Sequence, residues 1–417
     1  MKARRSRVAT VLSVTLALLT ALGPLTALAP LTAEYGPVGT WVYLAFALPE
    51  GWAMGVMTYT LLKPGLVTCT GHKAAVSRWL RWSTLLVLFV QQVPALYYNH
   101  ELDILQLSGW LVLLIGLELA GHAPVKLRQA LQRLVTREIL GPAKGVEDLT
   151  SGLERTGHGW TVASGWCVAC ALLITSPLTL LAASRSRSWA LGPTASDLAV
   201  LIVAGAVAGG WLGRMTGYGR LLARTLRKQE LHLRVIPGHP DGAGGLKPIG
   251  DFYLYQSLAA SLPAIFLAVW VLLISLGGAN RLLGAYRPYL DQYLWLLPLA
   301  MLFEILVFVL PMSSVHVIMK SQKERTFLAD ADRLSPAIAA AQAGLDSQAD
   351  EDSEAARQRP PQLIEHYQEL EKVPTWPIDS SIRRRFTWRN LGLLIPFVGY
   401  IVGHMSFWQQ VSDVLKG

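Results

Sequence analysis

Long apolar stretches, separated by shorter polar ones, dominate the chain from end to end. A helix needs about 20 apolar residues to cross the hydrocarbon core of a bilayer. The stretches that reach or approach this length are Val8–Leu31, Trp41–Leu62, Trp82–Tyr98, Ile104–Ala120, Trp160–Ala182, Ala195–Leu212, Tyr253–Leu276, Tyr293–Ile318 and Leu391–Trp408. The pattern predicts an all-α, polytopic membrane protein with eight or nine transmembrane helices and a small cytoplasmic part.

The first and last stretches each leave two interpretations open. Val8–Leu31 follows a basic start, so it is either a signal peptide cleaved near Ala27–Ala29 or an uncleaved first helix; its length favours the uncleaved helix. Leu391–Trp408 is short and contains Pro396 and His404, so it either crosses the bilayer or lies in the interface.

Composition and charge support this class and orient the chain. Apolar residues make up 52% and charged residues 16% of the chain, which excludes an ordinary soluble protein. If all nine stretches cross and the N-terminus is cytoplasmic, 32 of the 37 Lys and Arg residues fall on the inner side. Because positive residues stay on the cytoplasmic side, we expect a protein of the cell (inner) membrane with a cytoplasmic N-terminus. The net charge of +9 therefore reflects topology, and no nucleic acid is expected as a partner.

The predicted crossings and the polar stretches between them suggest a division of the chain. Residues 1–319 form a transmembrane helical domain with cytoplasmic loops at 122–159 and 214–252. Residues 320–388 form a cytoplasmic helical or linker region, and residues 389–417 hold the last apolar segment and the tail. Arg outnumbers Lys 26 to 11 and Asn occurs three times, which indicates a GC-rich coding bias and a bacterial source.

Two stretches on the predicted cytoplasmic side have patterns of their own. Lys126–Leu140 carries apolar residues on one helical face and basic residues mostly elsewhere, which is typical of an amphipathic helix. Such a helix either lies on the membrane surface or packs on the cytoplasmic side of the protein itself. Gln362–Lys372 is predicted to be helical, and the Val373–Pro377 stretch that follows should be extended or turned because residues before proline avoid the helical region.

A glycine-rich loop, Gly238–Asp251, precedes the seventh apolar stretch. It holds five glycines and two prolines in fourteen residues, so we expect neither regular helix nor strand. The candidates for binding a ligand or ion are His239, Asp241, Gly244, Gly245 and Lys247. His239 and Asp241 are also metal candidates, while the glycine amides with Lys247 suit a phosphate. Alternatively, Asp241 caps a turn, His239 packs beneath it, and the loop docks onto helix ends.

The string His-Pro-Asp-x-x-Gly-Gly-Leu at His239–Leu246, together with Trp-Pro-Ile-Asp at Trp376–Asp379, allows one comparison. The combination resembles a pattern met in functionally uncharacterised bacterial multi-pass membrane proteins. The resemblance covers some thirty residues. It implies membership of that class and carries over no activity and no catalytic residue.

Ionisable residues inside apolar stretches are a second kind of candidate. Burying a charge at bilayer depth costs about 2.5 to 3.5 kcal/mol on insertion scales. Glu50 and Glu304 lie near the middle of their stretches, and Glu118 lies four residues before His122 on one helical face. Glu50 and Glu304 either form a proton or cation path or are protonated carboxyls hydrogen-bonded to neighbouring helices. Because an isolated carboxylate in lipid is too costly, Glu304 should meet a polar group from another helix.

No sequence motif of a hydrolase, zinc peptidase or nucleotide-binding site occurs in the chain. The leading hypothesis is a regulated channel- or transporter-like component. One alternative is a membrane-embedded enzyme that acts on a lipid or phosphorylated substrate; another is an effector or scaffold subunit of a bacterial stress or defence system. The expected partners are the lipid bilayer and either a cytoplasmic protein or a second copy of the chain. The sequence identifies no cofactor.

Overall fold

A computed structural model describes the helical parts of the chain. The described residues are 48–58, 81–90, 92, 102–140, 156–174, 191–227, 234–236, 239–277, 286–328, 335–336, 339, 343 and 375–403. The helices are α1 (48–58), α2 (Arg81–Val90), α3 (Ile104–Thr136), α4 (Thr156–Ile174), α5 (Leu191–Arg227), α6 (Lys247–Ala260), α7 (Leu262–Gly277), α8 (Leu290–Gln322) and α9 (Ser380–Gly403). Every element in this part of the chain is helical, as the sequence predicts.

Three of these helices, α3, α4 and α8, are long and apolar enough to cross a bilayer. A fourth crossing results if α6 and α7 count as one bent span. These helices support a membrane protein. The prediction of eight or nine crossings stays a prediction, because the first apolar stretch and parts of several others, including the end of Leu391–Trp408, lie outside the described residues.

Helix α3 differs from the sequence prediction of two separate helices. It joins the apolar stretch Ile104–Ala120 and most of the amphipathic stretch Lys126–Leu140 into one helix of 33 residues, with Pro124 inside it. The apolar face predicted for the second stretch is buried, with Leu127 and Leu134 fully enclosed. This face therefore packs within the protein, which was one of the two interpretations of its amphipathic pattern.

The predicted apolar stretch Tyr253–Leu276 is likewise two helices rather than one. Helices α6 and α7 meet at Ser261 with a bend of 44°. Pro263 explains the bend, because proline has no N–H to donate to Ala259 and its ring collides with that carbonyl. Beside the bend, the Ser261 hydroxyl donates to the Leu258 carbonyl. The chain therefore contains a discontinuous helix within a predicted crossing.

The chain divides into two compact units, of which the first holds residues 1–124, 151–218 and 262–267. In this unit α4 and α5 approach at backbone distance. A Cβ added at Gly209 or Gly213 would collide with Ser164, Val168 or the α4 backbone. Small residues at helix contacts allow such close packing in membranes.

The second unit holds residues 125–150, 219–261 and 268–417, and it contains α6, α8 and α9. Helices α6 and α9 run parallel and in register, since the pairs Lys247 with Asp379, Gly250 with Ile382, and Ser257 with Arg389 are each 132 residues apart. Helix α8 runs antiparallel to α9: Glu304 contacts Arg389, and one turn later along α8, Phe308 stacks on Phe386 with ring centroids 4.3 Å apart. Two helix N-termini therefore lie side by side.

Candidate functional site

Glu304 lies on the buried face of α8. The buried residues of this helix recur every three or four positions, and they are Leu297, Met301, Glu304, Val307, Phe308, Met312, Val315 and Met319. The opposite face is apolar and exposed, with Trp295 83% and Leu299 61% accessible, as expected for contact with lipid tails. Helical periodicity thus turns a single carboxyl away from the predicted lipid face into the interior of the second unit, where its side chain is fully buried.

Three residues from two other helices surround the Glu304 carboxyl. Arg389 of α9 forms an ion pair with Glu304 Oε1 through its Nη2 atom. Ser257 of α6 donates its hydroxyl to the same oxygen at 3.3 Å, and Asn390 Nδ2 reaches it at 3.5 Å. We call Ser257, Glu304, Arg389 and Asn390 the polar centre. Glu304 therefore meets polar groups from other helices, as expected from its position in the sequence.

The polar centre is incompletely hydrogen-bonded. Glu304 Oε2, Arg389 Nε and Asn390 Oδ1 are buried and have no hydrogen-bond partner among the described residues. Arg389 Nε and Nη2 form one edge of the guanidinium, which matches a carboxylate or phosphate in a bidentate manner. Glu304 occupies Nη2 of this edge and leaves Nε unused. Because buried polar groups are normally satisfied, three open atoms at one place call for a functional explanation.

A second cluster of charges lies where the N-termini of α6 and α9 meet. Asp241 accepts hydrogen bonds at Oδ1 from the backbone N–H groups of Ala243 (3.0 Å) and Gly245 (2.9 Å). Its Oδ2 accepts a long bond from the Lys247 N–H and lies 3.3 Å from Arg137 Nη1. Burial opposes ionisation of Asp241, but the two amide bonds and His239 outweigh it, so the pKa of this carboxyl lies below its ordinary value.

These contacts bear on the loop candidates named from the sequence. The Gly245 amide, proposed for a phosphate, is bound to the Asp241 carboxylate. Gly244 has a positive φ of 62° and its carbonyl accepts from the Ile236 N–H. His239 Nδ1 lies 2.9 Å from Asp241 Oδ1, so these two side chains do converge. No group of three or more metal-binding side chains occurs within the described ranges, so His239 and Asp241 have no third ligand there.

The end of the predicted loop is helical, contrary to the expectation from its glycine and proline content. Helix α6 begins at Lys247, with Pro248 in its first turn. Proline is tolerated there because the first N–H groups of a helix have no partner within the helix. Residues Lys247–Asp251 therefore belong to the helix, and the irregular loop ends at Leu246.

Lys247 joins the loop to the Trp376–Asp379 string. Its Nζ lies 2.7 Å from Asp379 Oδ2, while Asp379 Oδ1 accepts from the Ile382 N–H at 2.8 Å and thereby caps α9. Burial opposes ionisation of Asp379, but Lys247, the Ile382 amide and the Ser381 hydroxyl hold its pKa at about 2. We call Asp241, Lys247 and Asp379 the cap cluster. Both carboxylates of the cap cluster have partners at each oxygen.

An open cleft of about 700 Å³ lies beside the cap cluster. The two strings singled out from the sequence line it together, since its walls are Pro240, Asp241, Gly242, Trp376, Ile378, Asp379, Ser380 and Arg383. Trp376 stacks on His316 of α8 with centroids 4.2 Å apart, and His316 Nδ1 lies 2.7 Å from the Thr375 carbonyl. Two segments that lie more than 130 residues apart in the chain thus form one surface.

The other two carboxyls singled out from the sequence, Glu50 and Glu118, lie in the first unit. Glu50 is buried in α1, with 8% of its surface accessible. Glu118 of α3 forms an ion pair with Arg81 at the start of α2, and its Oε2 lies 3.6 Å from His122 Nε2. Glu118 and His122 therefore lie close to each other, and Arg81 is a further partner of Glu118.

Sequence reasoning did not identify Ser257, Arg389 or Asn390 as site residues. Arg389 closely follows the three basic residues Arg383–Arg385, and it resembled a further positive residue at the cytoplasmic end of the last segment. One signal was present: Arg389 and Asn390 directly precede an apolar run and belong to the same helix as that run.

Comparisons with protein-family models, with curated proteins and with solved structures give no match to this chain. The resemblance carried by the His239–Leu246 and Trp376–Asp379 strings stays a prediction.

Proposed function

We propose that this chain is a transporter-like membrane protein and that the polar centre is the place where it handles its substrate or coupling ion. The observation that carries the proposal is the buried ion pair of Glu304 and Arg389 with open hydrogen-bonding atoms around it. Ionisable residues at bilayer depth are costly and commonly mark ion or substrate pathways. A polar core built only for stability has no use for the open atoms.

The bend between α6 and α7 supports the same proposal. Transporters often bind substrates beside discontinuous helices, where the broken backbone and nearby side chains replace lost hydration. Ser257 lies one turn before Ser261, where the bend occurs, and donates to Glu304. A discontinuous helix therefore contributes directly to the polar centre.

The proposed orientation follows from the distribution of basic residues. With the N-termini of α6 and α9 on the cytoplasmic side, the cap cluster and its cleft face the cytoplasm of a bacterial cell, and the bilayer surrounds α8. In this arrangement the cap cluster fixes α6 to α9 at the inner surface. The cleft beside it is the place where we expect a cytoplasmic partner or a second copy to act on the helices.

The enzyme alternative has less support from the described residues. It assigned the chemistry to His239 and Asp241, yet Asp241 already accepts two backbone N–H groups and contacts Arg137. The scaffold alternative predicts a dry, inert interior. Access of water to the polar centre therefore separates a transporter from a scaffold.

The test is chemical access to Ser257. In a variant without native cysteines, Ser257→Cys should react with a small charged thiol reagent added from either side of membrane vesicles. Leu302→Cys is the matched control, because Leu302 lies on the exposed apolar face of α8, two residues from Glu304. It should not react with a charged reagent. Absence of reaction at Ser257→Cys from both sides would refute the proposed function.

A further inference from the structure

We infer that the substrate bound at the polar centre is a small oxyanion, a carboxylate or a phosphate, which takes the place of Glu304 on Arg389 when Glu304 accepts a proton. The inference rests on the proposed function and specifies its substrate class. It follows from the geometry of the guanidinium edge and from the charge balance of the buried site.

The edge of the Arg389 guanidinium that contacts Glu304 is only half used. Arg389 presents Nε and Nη2 on one edge, and Glu304 uses Nη2 with one oxygen while its other oxygen stays without a partner. A bidentate oxyanion would bond both nitrogens at once, which is the arrangement that guanidinium groups favour. Glu304 thus makes one hydrogen bond to this edge of Arg389, whereas an incoming oxyanion can make two.

The charges of Glu304 and Arg389 balance each other in the buried site. Arg389 is the one charged side chain that contacts Glu304 in the described part of the chain; α6 contributes neutral Ser257, and α9 also contributes neutral Asn390. In the resting state the Glu304 carboxylate neutralises Arg389. If the carboxylate binds a proton and a monovalent anion binds Arg389, the site is again neutral. Both states avoid an uncompensated charge in apolar surroundings, which is the costly alternative.

The open atoms near Glu304 and Arg389 suit the exchange. A protonated Glu304 carries an O–H that needs an acceptor, and Asn390 Oδ1 is a buried acceptor without a partner. The anion accepts from Arg389 Nε and Nη2 and from the Ser257 hydroxyl, which now points at Glu304 Oε1. One proton and one anion therefore enter together, and the chain would carry them as an electroneutral pair.

The test measures oxyanion binding and proton uptake by the full chain in phosphatidylcholine nanodiscs. Acetate and methanesulfonate, which each carry a single negative charge, are the probes, between pH 6 and pH 8, where neither changes its own charge state. One proton taken up per anion makes the apparent Kd rise about tenfold per pH unit. In weak buffer, adding the probe should raise the pH of the medium.

Two variants identify the groups involved. Glu304→Gln imitates the protonated carboxyl, so it should bind the probes at all these pH values without proton uptake. Arg389→Gln should not bind them. Arg384→Gln removes the same charge at an exposed position of the same helix and should behave like the unmodified chain. If Glu304→Gln does not fold, the pH dependence of the unmodified chain and its loss in Arg389→Gln decide the question.

A separate experiment distinguishes a soluble oxyanion from a lipid headgroup as the ligand. Repeating the titration with phosphatidylglycerol in the nanodiscs should leave binding of the soluble probes unchanged. Competition by that lipid would assign the site to lipid headgroups, with the same chemistry at Arg389. Absence of probe binding, or binding that is independent of pH and of Arg389, would overturn the inference. Reaction of Ser257→Cys in that case would leave the proposed transport function standing.

Discussion

Two charged clusters in the second unit use similar side chains but differ in how completely these are bonded. In the cap cluster each carboxylate oxygen of Asp241 and Asp379 has a donor, from backbone amides, Arg137, Lys247 or Ser381. In the polar centre, Glu304 and Arg389 share one contact and each keeps an open atom. The saturated cluster lies at helix ends, and the open cluster lies at predicted bilayer depth.

The difference in bonding indicates a structural role for the cap cluster and a functional role for the polar centre. The cap cluster neutralises the positive ends of two parallel helices, where carboxylates are stabilising, and each of its carboxylate oxygens already has a donor. In the polar centre, the acceptors Glu304 Oε2 and Asn390 Oδ1 and the donor Arg389 Nε have no hydrogen-bond partner among the described residues. Buried polar atoms without a partner are costly. We therefore expect changes to the cap cluster to affect stability, and changes to the polar centre to affect stability and ligand binding together.

The largest effect should come from breaking the buried ion pair. Glu304→Gln or Arg389→Gln alone leaves the remaining group without its counter-charge and should lower the free energy of unfolding by about 3 to 5 kcal/mol. The double variant removes both charges and should regain most of the loss. Denaturant unfolding in detergent micelles provides the measurement, and additive losses in the double variant would contradict the pairing.

The next effect concerns Asp241, whose carboxylate holds the loop. Asp241→Ala leaves the Ala243 and Gly245 amides without their acceptor, and each buried unsatisfied group costs about 1 to 3 kcal/mol. Because the pKa of Asp241 is lower in the folded chain than its ordinary 3.8, this stabilisation is fully present above about pH 4 and is lost as pH falls through the folded pKa. Unfolding of Asp241→Ala should therefore depend less on pH below 4 than unfolding of the unmodified chain. Equal pH dependence in Asp241→Ala and in the unmodified chain would contradict the proposed role of the Asp241 carboxylate in stability.

A smaller effect is expected where α6 and α9 touch. A Cβ at Gly250 would collide with the Pro377 carbonyl and with Ile382, so Gly250→Ala should lower stability by about 1 to 3 kcal/mol. Gly392→Ala on α9 is the matched control: its Cβ would meet nothing, so it should be neutral or stabilising by about 0.5 to 1 kcal/mol. Equal thermal stability of the two variants would show that the helices do not approach as described.

The smallest effect should come from the cap of α9. Asp379→Ala removes the acceptor for the Ile382 amide and the partner of Lys247, and loss of such a cap costs about 1 kcal/mol. Ser381→Ala keeps the carboxylate and should cost less. Oxyanion binding at the polar centre should be unchanged in Asp379→Ala. A loss of that binding would contradict the assignment of a purely structural role to the cap cluster.

The sequence predicted local features well and long-range ones poorly. The cost of burying a carboxylate in lipid predicted a polar neighbour for Glu304 from another helix, and the structure has one. Which neighbour it was could not be read from the sequence, because Arg389 lies 85 residues away and its partner depends on the register of α8 against α9. The end of the glycine-rich loop was assigned wrongly, although Pro248 next to Lys247 is a common helix start. The bend at Pro263 was also readable from a local rule.

The central claim is that the Glu304 and Arg389 pair is open to a polar ligand. A structure of the chain in a lipid nanodisc, determined at a resolution that shows ordered water, tests it most directly. We predict density for water or a bound oxyanion within hydrogen-bonding distance of Arg389 Nε, Glu304 Oε2 and Asn390 Oδ1. A dry centre in which both Glu304 oxygens bond to Nε and Nη2 of Arg389 would contradict the claim, because the ion pair would then be complete.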